Sequence, residues 1–226
     1  MEKISFTSYD FWAYLSAGFL LLLAIDKAAS THLLMRDQWT IVQRITVVSL
    51  AYVLGQLMAS ASSFFFEKLL VGKLLGYPRN VLFGQHKAPR WVQWLLPRYF
   101  EALPEATQKA ALERGQQVGA DRPEEALFWQ AHTYGRGTSA VALRLDSFLN
   151  LYGFARNTAF VAFADSAVLY WSYLQTNAPS EYLLWARLAL VIGLGMTLRY
   201  LKFFRHYAVE IFTSYAYAKD DRNSAL

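Results

Sequence analysis

The sequence contains no cysteine, so disulfide bonds, thiolate metal sites and cysteine nucleophiles are all excluded. Charge is also scarce: 17% of the residues are Asp, Glu, Lys or Arg, whereas an ordinary soluble domain has roughly 25%. The chain is instead rich in apolar residues, with 55% hydrophobic residues and a mean hydropathy of +0.18. These residues form long runs that alternate with one polar, charge-rich middle section. That distribution is typical of a membrane protein with one sizeable loop.

Catalytic signatures are absent as well. The sequence has no P-loop, no nucleophile elbow, no zinc-protease motif and no dinucleotide-binding glycine pattern. Its four histidines are too scattered to predict a metal site: His32, His86, His132 and His206. We therefore predict that the protein is not an enzyme and that it uses no cofactor or metal.

Four apolar runs predict four membrane-spanning helices. They cover Phe11–Ile25, Ile41–Leu70, Phe148–Leu174 and a stretch that begins near Tyr182, and a helical span needs roughly 20 residues. Short turns join the first run to the second and the third to the fourth, which favours two antiparallel hairpins. We expect the first run to be a retained signal-anchor helix and not a cleaved signal peptide. The predicted fold class is all-α: an integral membrane four-helix bundle of two transmembrane hairpins, with a small helical cytoplasmic insert between the second and third spans.

The distribution of Lys and Arg predicts how these spans are oriented. Eleven such residues lie in Lys68–Arg144 and five in Arg199–Arg222, whereas the turn at 176–181 has none and the turn at 30–40 has only Arg36. Cytoplasmic loops carry the excess of positive charge, so both termini and the middle section are predicted to be cytoplasmic in a multi-pass membrane protein. A net charge of +5 also suits nucleic acid, but in a membrane protein we expect it to mark cytoplasmic loops.

The predicted domains follow from the same pattern. The first hairpin occupies residues 1–70, the cytoplasmic helical insert residues 71–146, and the second hairpin with a cytoplasmic helical extension residues 147–226. Within the insert, helices are predicted over Pro104–Gly115 and from about Pro123 through Ala131.

One short segment of the insert combines aromatic residues with cations. Arg90, Trp91, Trp94 and Arg98 lie close together in the sequence. This composition suits a short helix that lies under lipid headgroups or forms a cytoplasmic interface. The sequence leaves open the alternative that both tryptophans pack into the core of the insert.

Polar residues inside the apolar runs are informative because hydrocarbon penalises them. In the second run Gln56, Ser60 and Ser63 recur at helical spacing, and in the third run Thr158 and Asp165 share one side. A charge at the bilayer centre costs about 3 kcal/mol on insertion scales, so such a residue usually faces a partner, the bundle interior or water. One interpretation is that these residues line an aqueous path through a homo-oligomer, with Asp165 as a selective or gating ring. The other is that Asp165 is protonated or hydrogen-bonded, to Gln56 or a serine, and holds the helices together.

Two further groups of residues concern lipid contact and assembly. Arg156 and Asn157 lie where the third run meets the cytoplasm. We expect Arg156 to bind lipid phosphate, the ordinary partner at such a place, or else to cap the neighbouring insert. In the fourth run, Ala186, Ala189 and Gly193 form a small-residue face that permits close helix packing, inside the bundle or between subunits of a homo-oligomer.

Two resemblances extend these expectations. Arg199 and His206 are separated by six residues, which resembles the Arg–x(4–6)–His signature of HEPN-type ribonucleases, a family that pairs two such helices in a dimer; Tyr200 stands where that family usually has a polar residue. The resemblance implies a juxtamembrane ribonuclease. The layout, a compact four-helix membrane bundle with a basic cytoplasmic insert, resembles small bacterial membrane effectors encoded in antiviral defence systems.

These observations lead to three hypotheses of function. The first is a homo-oligomeric channel, pore-like or sensor protein of a bacterial inner membrane, possibly a membrane component of an antiviral defence system. The alternative is a non-conducting anchor or scaffold that recruits a cytoplasmic protein partner. The lesser alternative is the HEPN-like ribonuclease. Membrane lipids and further copies of the chain are the expected partners, and nucleic acid is not.

Overall fold

Helices make up the regular structure of this protein. The computed structural model describes residues 8–34, 36, 38–86, 88–117, 119, 125–176 and 179–218, and no strand occurs among them. The prediction of an all-α fold is confirmed.

The helices follow the apolar runs and the prolines between them. In chain order they are α1 Ser8–Ala28, α2 Ile41–Ser63, a π-helical segment Phe64–Leu75, α3 Pro78–Val81, α4 Arg90–Leu95, α5 Pro97–Phe100, α6 Glu105–Gln116, α7 Glu125–Gly137, α8 Ser139–Thr176 and α9 Ser180–Ala216. Proline begins α3 and α5 and immediately precedes α4 and α6, because it has no N–H to donate inside a helix. The two helices predicted in the insert correspond to α6 and α7; the predicted start at Pro123 lies outside the described residues.

Side chains at the ends of α1 and α2 stabilise the turn between them. Thr40 and Gln43 form a capping box at the start of α2, in which each side chain accepts a hydrogen bond from the other residue's backbone N–H, at 3.3 and 3.0 Å. At the end of α1 the buried carboxylate of Asp26 accepts the backbone N–H groups of Leu33 and Leu34, at 2.8 and 3.1 Å. The turn is therefore organised by polar groups that the sequence places at its two ends.

The described residues form two compact units. Unit 1 consists of the described residues within Met1–Lys68 and Gly153–Tyr200, and unit 2 of those within Leu69–Tyr152 and Leu201–Leu226. Each unit thus combines segments that are distant in the sequence, and the π-helical segment, α8 and α9 contribute to both. The three-part domain division made from the sequence stays a prediction.

In unit 1, α1 and α2 approach each other closely. The buried face of α2 consists of Ala51, Gly55, Ala59 and Ser62, hereafter the small-residue face. A Cβ atom on Gly18 of α1 would lie 1.7 Å from the carbonyl oxygen of Ala51, and one on Gly55 would lie 1.9 Å from that of Tyr14. Only glycine fits at these two positions, because the backbones themselves are in contact.

Unit 2 has an apolar core of its own. One cluster of its buried side chains comes mainly from α6, α7 and the parts of α8 and α9 that belong to the unit, and it includes Leu127, Leu145, Ile211 and Phe212. An ion pair between Arg144 and Glu210, at 2.7 Å, lies at the periphery. The unit is therefore held together mainly by apolar packing.

Two helical stretches among the described residues are long and apolar enough to cross a membrane: Ile41–Val81, which runs from α2 through the π-helical segment to α3, and Ser180–Ala216, which is α9. In the most apolar part of each stretch, only 22% and 17% of the residues are buried inside the structure. In a soluble protein, a helix that is hydrophobic on all sides lies in the core. The second and fourth predicted spans fall in these helices. An exposed apolar surface of this size is typical of contact with lipid or with another chain.

Candidate functional site

The polar residues predicted in the second span lie beside the small-residue face of α2 and not on it. Ser60 is exposed, and Gln56 and Ser63 are half-buried. Gln56 Nε2 donates to the Tyr52 hydroxyl at 3.0 Å, and the Ser60 hydroxyl donates to the Gln56 carbonyl at 3.3 Å. These groups therefore find partners within their own helix.

Asp165 and Thr158 face the interior of unit 1 from α8. Their exposed fractions are 8% and 9%. Asp165 Oδ1 is shielded from solvent and has no hydrogen-bond partner among the described residues, which is a costly arrangement for a carboxylate oxygen. Gln56, the partner considered from the sequence, directs its amide to Tyr52 instead.

A second set of polar groups in unit 1 is fully paired. We call it the polar cluster, and it consists of Ser62, Glu67, Arg156 and Asn157. The Arg156 guanidinium forms an ion pair with the Glu67 carboxylate, and their side chains are 15% and 32% exposed. The Ser62 hydroxyl donates to Asn157 Oδ1 at 2.7 Å, and Arg156 Nε also approaches that oxygen, at 3.4 Å. Charge-assisted bonds of this kind are stronger than neutral ones, so the cluster joins α2 and the π-helical segment to α8.

The sequence interpretation missed Ser62 and did not pair Glu67 with Arg156. A signal for Ser62 existed, since it continues the spacing of Ala51, Gly55 and Ala59 on the small-residue face. No local pattern indicated the Arg156–Glu67 pair, because the two residues are 89 positions apart. The predicted contact of Arg156 and Asn157 with lipid phosphate stays a prediction.

In unit 2, α4 and α5 carry an exposed face of cations and aromatic rings. We call it the cation–tryptophan face: Arg90, Trp91, Trp94 and Arg98, all exposed. Trp91 is 64% and Trp94 83% exposed, so the structure places both rings outside the core of the unit. Val92 and Tyr99 are buried and attach the segment to unit 2, and the Tyr99 hydroxyl donates to the Gly76 carbonyl at 2.8 Å.

The cation–tryptophan face belongs to an unusually basic stretch of the chain. Residues 68–100 contain six Lys and Arg and no Asp or Glu. Among the described residues, Arg79 is the cation of this stretch that reaches a carboxylate, that of Glu125 at 3.8 Å. Its other described cations, Lys68, Lys73, Arg90 and Arg98, form no ion pair with a described carboxylate, which favours an anionic partner.

The histidines do not assemble into a site. His132 Nε2 lies 3.1 Å from the Tyr207 hydroxyl, and burial, together with the nearby charge of Arg136, lowers the pKa of His132. His206 Nδ1 donates to the Lys202 carbonyl at 2.7 Å. Arg199 is exposed on α9 and belongs to unit 1, whereas His206 belongs to unit 2, and the ribonuclease pair stays a prediction.

The described residues also contain no group of three or more His, Asp or Glu side chains placed to hold a metal ion. The functional argument rests on the residues and contacts of this chain, because no family model, no curated protein and no solved structure matches it.

Proposed function

We propose that the chain is a four-span protein of a bacterial inner membrane that anchors unit 2 at the cytoplasmic surface without conducting ions. The spans are α1, α2 and the apolar stretches of α8 and α9, arranged as two hairpins with both termini in the cytoplasm. Four apolar runs, the placement of Lys and Arg, and two exposed apolar helices of sufficient length support this arrangement.

The observation that carries the proposal is the exposure of Trp91 and Trp94 between two arginines. An indole ring has an apolar body and one N–H donor, so tryptophan concentrates at membrane–water interfaces. The cytoplasmic leaflet is anionic, and each Lys or Arg near it contributes about 1 kcal/mol of attraction. A segment with six cations, no acids and two uncovered tryptophans therefore suits an anionic lipid surface.

The interior of unit 1 supports an anchor over a conducting path. The charges of the polar cluster are paired with each other, and α1 contacts α2 through its backbone at Gly18. A path for ions needs polar groups that face water. Those of the polar cluster face each other instead.

The absence of native cysteine allows a direct test of lipid docking by unit 2. Leu95 is 61% exposed and lies on α4 between the two arginines, so Leu95→Cys gives one labelling site and leaves both tryptophans in place. In nanodiscs with anionic lipid, a nitroxide at position 95 is expected to be accessible to oxygen and shielded from a water-soluble nickel chelate. The matched control is Lys109→Cys on α6, whose native side chain is 78% exposed and where the label is expected to remain accessible to nickel.

Two results would reject lipid docking. One is nickel access at position 95 equal to that at position 109. The other is shielding at position 95 that develops only when a cytoplasmic protein fraction is added, which would favour the partner-recruiting scaffold. The same Leu95→Cys protein tests the topology, because an impermeant maleimide should react with it only from the cytoplasmic side of oriented vesicles.

A pore in a homo-oligomer is the second candidate, and the unpartnered Oδ1 of Asp165 favours it. Subunits that meet along α2 would bring the exposed Ser60 and half-buried Gln56 to a shared surface. The test is ion conductance of liposomes containing the purified protein. Conductance that Asp165→Asn and Gln56→Leu both alter would support the pore, and conductance no higher than that of empty liposomes would reject it.

A further inference from the structure

A cavity of about 480 Å³ lies in unit 2 at the end of the π-helical segment. Five side chains that line it can donate hydrogen bonds: Lys73, Tyr77, Asn80, Gln85 and His86. Among the described residues that line the cavity, none is acidic. The lining therefore offers positive charge and donors with nothing to repel an anion.

Among the described residues, neither the Lys73 ammonium group nor the Nδ1 atom of His86 has a polar partner. Lys73 is exposed, and no described carboxylate pairs with it. The Nδ1 atom of His86 is shielded from solvent and makes no hydrogen bond, while the imidazole ring packs against Phe100 with centroids 5.1 Å apart. A buried polar atom without a partner is costly, and an oxygen atom of a bound anion would remove that cost.

Two glycine turns of the backbone border the cavity. Gly76 and Gly84 line it with φ angles of +87° and +76°, a region that residues with a Cβ atom rarely adopt. A Cβ atom on Gly84 would meet nothing within 4 Å. These two turns direct the chain around the cavity and leave room for a group with several oxygen atoms.

We propose that this cavity binds a phosphate group, as a phosphate ester of a lipid headgroup or of a soluble molecule. Phosphate offers several strong acceptor oxygens, which match an ammonium group, an imidazole N–H and two carboxamides. The proposal extends the docking of unit 2 on an anionic surface, but it can fail separately. Docking is measured by label depth at position 95, whereas the cavity is measured by binding in detergent.

The test uses the full chain purified in a detergent without phosphate. Calorimetric titration with inorganic phosphate and with dihexanoyl phosphatidic acid measures binding of the two sources. We expect Lys73→Gln to weaken binding at least tenfold, since a hydrogen bond to a charged group typically contributes about 1.5–3 kcal/mol. His86→Gln is the second variant and is expected to weaken binding as well. Lys68→Gln is the matched control, because it removes the same charge five residues earlier in the π-helical segment without touching the lining.

The outcomes separate the possibilities. Binding of both probes, lost in Lys73→Gln and kept in Lys68→Gln, supports a general phosphate site. Binding of the short-chain lipid alone, with the same response to the variants, supports a headgroup site. Absence of binding by either probe overturns the proposal, and so does equal weakening by Lys68→Gln and Lys73→Gln, which would indicate diffuse attraction to a basic surface.

Discussion

Replacement of Gly18 by alanine is expected to separate α1 from α2. The new Cβ atom would lie 1.7 Å from the Ala51 carbonyl oxygen and 2.8 Å from the Gly55 nitrogen. Both are backbone atoms, so no change of side-chain rotamer relieves the overlap. Ordinary contacts begin at 3.4 Å, and the two helices must therefore move apart locally by about 1.7 Å, the difference between these two distances.

The cost of this separation follows from two opposing contributions. Overpacking of a well-packed interior destabilises by about 1–3 kcal/mol, and this overlap is severe enough to place it near the upper end. Alanine is favoured over glycine inside a helix by roughly 0.5–1 kcal/mol. We therefore expect Gly18→Ala to lower the free energy of unfolding by about 2 kcal/mol.

The assay is unfolding of the purified full chain by sodium dodecyl sulfate in mixed micelles, followed by circular dichroism. Gly195→Ala is the matched control, because it is the same substitution inside α9 and its Cβ atom would meet nothing within 4 Å. The control is expected to be unchanged or up to about 1 kcal/mol more stable. Equal stability of Gly18→Ala and Gly195→Ala would refute the close approach of α1 and α2.

Three further predictions concern other contacts. Arg156→Met should destabilise by about 2 kcal/mol, because it leaves the Glu67 carboxylate half-buried without its partner, and the double variant Glu67→Leu/Arg156→Met should recover most of that loss in the same unfolding assay. The lowered pKa of His132 means that the unfolded chain binds a proton more readily than the folded chain. The neutral imidazole therefore contributes its full share of stability above about pH 6.5, and this share is lost as the pH falls below that value. His132→Gln should flatten the pH dependence of the thermal midpoint between pH 7 and 5. Tyr99→Phe should lower the free energy of unfolding by about 1 kcal/mol, since it removes the hydrogen bond that attaches α5 to the end of the π-helical segment; an unchanged midpoint would contradict that role.

The helices could be predicted because their signals are local. Apolar runs, prolines at α3 and α5, and the Thr40–Gln43 capping box all act within a few residues. The bounds of α6, Glu105–Gln116, therefore lie within one residue of the predicted helix, whereas α8 begins at Ser139, before the apolar run that starts at Phe148. The same locality explains why an all-α fold was predictable while the division into units 1 and 2 was not, since each unit joins segments more than 45 residues apart.

The orientation of α2 shows where sequence reasoning stops. Gln56, Ser60 and Ser63 recur at helical spacing, but so do Gly55, Ala59 and Ser62, one position earlier in each case. Periodicity alone cannot choose between two faces that are about 100° apart on the helix. The choice is made by α1, whose Gly18 allows backbone contact only with the small-residue face.

The sequence by itself determined an all-α fold with apolar stretches of membrane length, a basic middle section, no cysteine and no catalytic signature. These are properties of composition and of the order of residues along the chain, and they do not depend on tertiary contacts. Only the tertiary structure decided that Arg156 pairs with Glu67, that Trp91 and Trp94 are exposed, and that His86 lines a cavity with an unpartnered nitrogen. Each of those outcomes depends on which distant segment packs alongside, and packing is set by the shapes of both partners at once.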